Sequence, residues 1–333
     1  MNQNLILNKI YNKENLSIEE STATFNKIMS GEFDDIEIAI ILIGLKIKGE
    51  SMDEIIGAAT VMREKSLKIN SPNNTIDTCG TGGDMKNTLN ISTSAAIVAA
   101  SAGVKIAKHG NRSVSSKSGS ADMLEHLGYK IQSDVKELEK NLIDSNFCFL
   151  FAQNHHKAMK NVINIRKKLS TRTIFNLLGP LTNPANTKKQ LLGVYSKNLV
   201  QMHCNCLKKL GSERAIIVHG LDGLDEISLS GKTYINELKD NKIIEYIFNP
   251  IDFGYDLINI EEIKGGNPEY NAHCFRKMIN GDYMLYQKIV ELNAGATIYL
   301  SGLVNDLREG FLLAKKVIDD GITKNFVKKI TNE

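Results

Sequence analysis

Long apolar runs, paired cysteines, excess charge of one sign and internal repeats are all missing from this chain, and each absence removes a class of protein. No stretch of about 18 apolar residues occurs, so no transmembrane helix is expected. The N-terminus has no basic region followed by a long apolar core, so no signal peptide is expected either. Five cysteines, Cys79, Cys148, Cys204, Cys206 and Cys274, are scattered and odd in number. That excludes a disulfide framework and fits a reducing cytosol. Lys and Arg total 41 against 38 Asp and Glu, a net charge of +3, too balanced for a dedicated nucleic-acid binder. His203, Cys204 and Cys206 lie close together, but structural zinc takes four ligands. The plainer expectation there is a helix crossing a half-buried face. Neither a repeat nor a low-complexity linker interrupts the 333 residues, enough for one large domain or two ordinary, closely packed ones.

What is present changes character near residue 71. Before it the chain reads as helices only: Ser17 with Glu20, and Ser51 with Glu54, make capping boxes that each open an apolar-periodic segment. Between them residues 36–45 are almost uniformly apolar, and Gly49 ends that helix. Such a helix is buried on more than one side, against its own core or against a second copy. After residue 71 strands and helices alternate: strands near 75–79, 104–108, 147–152, 191–195 and 215–219, with helices at 91–102, 121–127 and 135–145. That order predicts an α/β domain with a largely parallel sheet. From residue 269 onward the pattern is mostly helical.

The chemistry gathers in the loops after the predicted strands. Gly80-Thr81-Gly82-Gly83-Asp84 follows the first strand; it is neither a dinucleotide fingerprint nor a P-loop, because the required spacings fail. Its glycines nonetheless let the backbone approach a ligand and aim successive N–H groups at it. Asn90-Ile91-Ser92-Thr93 falls where a helix begins, which suits phosphate. A tight turn followed by an ordinary N-cap is the plainer alternative. The second loop, Lys108-His109-Gly110-Asn111-Arg112-Ser113-Val114-Ser115-Ser116, packs two cations and four hydroxyl or amide donors around a glycine. It can wrap a polyanion or be a solvated loop; its place after a parallel strand favours a site. Asp225-Glu226 after a later strand is either a solvated pair or a Mg²⁺ anchor, since Mg²⁺ is held by one or two carboxylates together with phosphate oxygens.

These motifs, in this order, resemble the anthranilate phosphoribosyltransferases. The resemblance runs nearly end to end, through GTGGD at 80–84, NIST at 90–93, KHGNRSVSS at 108–116, SGSAD at 118–122, RTIFNLLGPLTNPA at 172–185, HGLDGLDEISL at 219–229 and EGFLLAKKVI at 309–318. It implies transfer of phosphoribose from 5-phosphoribosyl 1-pyrophosphate to the amine of anthranilate, in tryptophan biosynthesis. The implied fold is that of the nucleoside phosphorylase-like phosphoribosyltransferases. A small helical domain (1–71, with part of 160–185 packing back) is hinged to an α/β domain (72–333), and two copies join through the helical part. The resemblance also implies site roles. Gly80, Gly83, Asp84, Thr88, Asn90, Ile91, Ser92, Thr93, the loop 108–116 and Ser120 line the phosphoribosyl pyrophosphate site. Ser92, Asp225 and Glu226 hold Mg²⁺, and Gly80, Asn111 and Arg166 contact anthranilate, Arg166 facing its carboxylate. Lys108 stabilises charge building on pyrophosphate, and no covalent nucleophile or general base is expected. Two positions depart from the family pattern, Lys157 within HHKAM and Asn164, both where proline is usual.

Overall fold

The computed structural model describes residues 3–113 and 117–331. Four helices come first: α1 (Gln3–Tyr11), α2 (Ile18–Ser30), α3 (Asp35–Lys48) and α4 (Met52–Glu64). Both capping boxes expected from the sequence form, at Ser17/Glu20 and Ser51/Glu54. A third, Asp34 with Glu37, starts α3 and was legible in the same D-x-x-E spacing. Helices α2 and α4 pack closely because Gly57 faces Ser21, where a Cβ would come within 2.6 Å of the serine Cβ. Buried Glu54 then ties the bundle together, accepting from Leu16 N (2.9 Å), Ser51 N (2.8 Å) and Lys48 Nζ (3.0 Å). Helix α3 buries Ile38, Ile41, Leu42 and Leu45 on one face. Its other face leaves Ile36 (70%) and Ile47 (71%) exposed, with Ile40 and Ile43 half-buried between them.

The remaining chain builds a seven-stranded sheet in the order β3-β2-β1-β4-β5-β6-β7. The strands are β1 (Ile76–Gly80), β2 (Ile106–Gly110), β3 (Phe147–Phe151), β4 (Lys189–Gly193), β5 (Arg214–Gly220), β6 (Thr233–Lys239) and β7 (Lys242–Phe248). The first five pair in parallel, as the alternating pattern predicts. Strands β6 and β7 are an antiparallel addition that the sequence reading missed. Its signal was two seven-residue β-rich runs separated by Asp240-Asn241, both in the left-handed conformation that such a hairpin turn needs.

One face of the sheet is covered by α5 (Ile91–Ser101) and by the helices Met284–Ser301 and Leu307–Asp319. On the other face the bundle core continues without a break. Phe25 and Leu42 join Val162 and Ile165 of the helix Lys160–Leu169, and these join Leu192, Val194, Cys204 and Ile217. Arg63 of α4 pins that junction, donating to Leu181 O (2.6 Å) and Leu210 O (3.1 Å). The His203-Cys204-Cys206 segment lies in the helix Asn198–Lys209, and both His203 ring nitrogens meet carbonyls, of Leu199 and Leu177. The segment is a helix, as the plainer reading had it, but His203, Cys204 and Cys206 are fully buried rather than half-buried.

Candidate active site

Parallel pairing brings the C-terminal ends of β1, β2, β4 and β5 to one edge, so the loops that follow them converge. After β1 the chain runs through Gly82 (φ 65°), Gly83 (φ 80°), Met85 (φ 62°) and Asn87 (φ 53°). Four left-handed residues in six make this an over-determined loop, and Met85 carries a strain that glycine would not. The C-terminal region holds it from outside: Leu89 N donates to Ile263 O (3.0 Å), Gly265 N to Asn87 O (2.7 Å), and Thr88 bridges Lys264.

Asp225 and Glu226 reach this loop from the end of β5. Asp225 Oδ2 accepts from Gly82 N (3.0 Å), and Glu226 Oε1 accepts from Ser92 N at the start of α5 (3.0 Å). Two glycines make room for them. A Cβ on Gly80 would sit 2.8 Å from Asp225 Oδ2, and one on Gly193 would overlap the Asp225 carbonyl. Burial, and then the charge of neighbouring Asp84, push the Asp225 carboxyl up to about 7. Burial and then Asp225 push Glu226 up as well, opposed by Lys108. Among the described residues no group of three or more His, Cys, Asp or Glu is placed to hold a metal ion; Asp225 and Glu226, each fixed by a backbone N–H, are two carboxylates that could share a cation with phosphate oxygens.

Asn90 does not cap α5 with its side chain, so the ordinary N-cap alternative fails. Its amide is a cross-brace instead: Asn271 Nδ2 (2.7 Å) and Ser118 Oγ (3.2 Å) donate to Asn90 Oδ1, and Asn90 Nδ2 donates to Ser118 O (3.2 Å). Asn271, which no sequence motif singled out, is itself fixed by accepting from Gly266 N (2.7 Å). Ile91 and Thr93 lie in the first turn of α5.

Lys108 is buried, and its Nζ donates to Thr78 O (2.6 Å) and Ser92 Oγ (3.0 Å). It therefore meets the start of α5 through Ser92 and faces the charge of Glu226, rather than projecting beyond the strand ends. His109 is buried beside His156, ring centroids 5.1 Å apart, and burial first, then the two neighbouring histidines, hold its pKa well below the usual value. Nε2 of His109, His155 and His156 has no partner among the described residues. Gly110 lies against Ser120 and Phe149. Asn111 is exposed; its carbonyl accepts from Ser120 Oγ (3.2 Å) and its side chain from Gln153 Nε2 (3.4 Å). Arg112 is turned onto Asp122 (2.9 Å) and Glu125 (2.6 Å) of the helix Ser120–His126. Ser113 N donates to the same Asp122 (3.0 Å). Val114, Ser115 and Ser116 lie outside the described residues.

Arg166 occupies the last turn of the helix Lys160–Leu169, half-buried, its guanidinium 5.4 Å above the Phe175 ring. No carboxylate among the described residues pairs with it, and burial lowers its pKa. Asn164, where proline is usual, leaves that helix unbroken, and Lys157 is exposed. Arg172 was not singled out by the sequence. Its guanidinium donates to Gly83 O and lies 4.0 Å from the centroid of the Tyr195 ring.

The helical bundle and the α/β sheet match one class in succession. The profile described as glycosyl transferase family, helical bundle domain, covers residues 4–66, and that of the glycosyl transferase family, a/b domain, covers 72–324. The fold and the converging loops thus define a glycosyl transferase. The chain is 46% identical over 325 residues to the anthranilate phosphoribosyltransferase of Thermoanaerobacter sp. (strain X514), covering 97% of this chain and 96% of the relative. It is 47% identical over 317 residues to that of Caldanaerobacter subterraneus subsp. tengcongensis, covering 95% and 94%. The crystal structure of the Thermus thermophilus enzyme superposes with a TM-score of 0.91 at 36% identity, covering 98% of each chain. The Saccharomyces cerevisiae enzyme in complex with PRPP and Mg gives 0.90 at 28% identity, covering 99% and 97%. This chain belongs to the anthranilate phosphoribosyltransferase family.

Proposed function

We infer that this enzyme transfers the phosphoribosyl group of 5-phosphoribosyl 1-pyrophosphate to the amine of anthranilate, releasing pyrophosphate, a step of tryptophan biosynthesis. One observation carries the site assignment. Hydrogen bonds across more than a hundred residues of sequence fix Asp225 to the glycine loop and Glu226 to the start of α5. Glycine N–H groups, a helix N-terminus and an acidic pair then share one sheet edge, which is what a metal-bound polyphosphate requires.

In this reading the donor lies along Gly80, Gly83, Asp84, Thr88, the turn 90–93, the loop 108–116 and Ser120. Ser92, Asp225 and Glu226 would hold Mg²⁺, which when bound offsets charge on the pyrophosphate. Lys108 keeps the Ser92 hydroxyl and Glu226 in place. Arg166 receives the carboxylate of anthranilate: a half-buried guanidinium already stacked on Phe175 and without an anionic partner among the described residues suits a planar acid. Gly80 and Asn111 complete the acceptor contacts. The amine lone pair attacks the anomeric carbon, the carbon–oxygen bond to pyrophosphate breaks, and its electron pair leaves with pyrophosphate. The aryl amine attacks in its neutral form, sheds one proton afterwards, and needs no nucleophile from the protein. The site's task is to hold the amine in line and stabilise the leaving charge.

The helical domain, residues 1–71 with part of 160–185 packing back against it, joins two copies into a homodimer in this proposal. Ile36, Ile40, Ile43 and Ile47 recur at i, i+4, i+7 and i+11 on the outer face of α3, as a helix that packs on a second copy requires. All five cysteines are free thiols, which supports a reducing cytosol. The deciding assay mixes protein, Mg²⁺, phosphoribosyl pyrophosphate and anthranilate and follows anthranilate fluorescence. The signal falls as product forms, and an unchanged signal with folded protein would overturn the reading.

A further inference from the structure

The nine residues that follow Arg166 touch both halves of the molecule. Arg166 lies on Phe175, and Phe175 packs edge-on against Phe25 of α2 (5.9 Å), so this end belongs to the helical bundle. Ser170, left-handed at φ 48°, ends the helix and turns the chain sharply. Two residues on, Arg172 crosses to the glycine loop, donating to Gly83 O and lying 4.0 Å from the Tyr195 ring centroid. Tyr195 N in turn donates to Thr81 Oγ1 (3.1 Å). The loop is thus gripped on one side by Asp225 at Gly82 and on the other by the Arg172–Tyr195 pair at Gly83 and Thr81. Between the two arginines, Ser170 N donates to Arg166 O (3.3 Å) and its hydroxyl to Lys167 O (2.9 Å), and the chain just beyond Arg172 is fixed as well. Thr173 N donates to Asn176 Oδ1 (3.0 Å), Asn176 N to Thr173 O (2.8 Å), and both Thr173 and Phe175 are buried.

We propose that Arg172 is a positioning residue that couples the acceptor arginine, Arg166, to the donor glycine loop. The inference rests on the assignment of acceptor and donor sites made above. Its physical basis is the single short segment carrying both cations: a shift of the helix Lys160–Leu169 when Arg166 engages a carboxylate reaches Gly83 through the Arg172 guanidinium. The loop, held at Gly82 from one side and at Thr81 and Gly83 from the other, is the element such a shift would move. Linkage makes the effect reciprocal, so acceptor binding tightens donor binding by the factor that donor binding tightens acceptor binding.

The test is calorimetric titration of the full-length protein with Mg²⁺ and phosphoribosyl pyrophosphate. Each titration is run with and without saturating 2-methylbenzoate, which keeps the carboxylate and ring of the acceptor but lacks the amine. In the wild type the analogue tightens donor binding by about fivefold or more. In Arg172→Ala that factor falls to about one, while donor affinity without the analogue drops less than the coupling does. Arg172→Lys keeps a charge but loses the planar fork that spans carbonyl and ring, so it restores donor affinity without restoring coupling. Tyr195→Leu, which retains Arg172, loses coupling in part and serves if the alanine variant does not fold. A wild-type factor of one, or a factor unchanged in both Arg172→Ala and Tyr195→Leu, overturns the proposal. Absent turnover of anthranilate by the wild type sinks the assignment of function instead, and the two failures are distinguishable.

Discussion

On the proposed assignment, replacing Arg166 by alanine removes one cation from the acceptor and leaves the direct contacts to the donor intact. The guanidinium is half-buried, with its pKa lowered by burial, so most of its desolvation cost is already met in the folded state. A charge-assisted hydrogen bond to a carboxylate in such a place contributes about 1.5–3 kcal/mol. At about 1.4 kcal/mol per decade, that is roughly a 10- to 150-fold rise in KM for anthranilate. Its stacking on Phe175 at 5.4 Å is worth only about 0.5–1 kcal/mol. The fold should therefore survive, with a fall in Tm within about 4 °C. Initial rates from anthranilate fluorescence, with each substrate varied at saturating concentrations of the other, separate the two KM values. The expected result is a rise in KM for phosphoribosyl pyrophosphate of about fivefold, the size of the lost acceptor–donor coupling, well short of the rise for anthranilate. If both KM values rise equally, Arg166 does not face the acceptor and the carboxylate argument is wrong.

Four further outcomes follow from the same geometry. Asp225→Asn with Glu226→Gln should shift the Mg²⁺ dependence of turnover to higher metal; an unmoved titration curve would remove both residues from the metal site. The metal-free variant should meanwhile be no less stable than wild type, since it loses buried like-charge repulsion. The Asp225 carboxyl is raised from 3.8 to about 7 in the folded protein. The unfolded chain therefore gives up its proton first, and this residue's contribution is fully present below about pH 4 and is lost as pH climbs towards 7. Melting temperatures of metal-free wild type and Asp225→Asn should diverge over that window, and parallel curves would refute the raised pKa. Gly193→Ala forces a Cβ into the Asp225 carbonyl and should cost about 1–3 kcal/mol in urea unfolding while also weakening metal dependence. A fully stable variant would show that the close approach is dispensable. Ile36→Glu with Ile47→Glu should convert a dimer to a monomer in analytical ultracentrifugation; an unchanged mass would place the pairing surface elsewhere.

The sequence by itself determined most of the local structure. Capping boxes at Ser17 and Ser51, the alternation of strands and helices, and the glycine loop after β1 are all set by neighbours within a few residues, so they can be read without a fold. It also supplied the groups of the site, since charge, hydroxyl and glycine content follow from residue type. The β6–β7 hairpin escaped because its Asp240-Asn241 turn lies in a stretch where charged residues break the apolar alternation. The apolar helix α3 left core and interface open, and only packing separates its buried Ile38/Ile41/Leu42/Leu45 face from the exposed Ile36–Ile47 stripe.

Tertiary structure alone decided which groups meet. Parallel pairing of β1, β2, β4 and β5 brings residues 80–92, 108–113 and 225–226 to one edge, a proximity that no local pattern encodes. It placed Lys108 under the site rather than over it, gave Arg112 to Asp122 and Glu125, and turned Asn90 from a helix cap into a brace for Ser118 and Asn271. It also brought Arg172, which the sequence offered only as the first residue of the 172–185 motif, onto Gly83. A residue's type fixes what it can bond to. Which of those bonds it makes depends on what the folded chain leaves within about 3 Å of it, and burial then makes every unmet polar group costly enough to hold that choice.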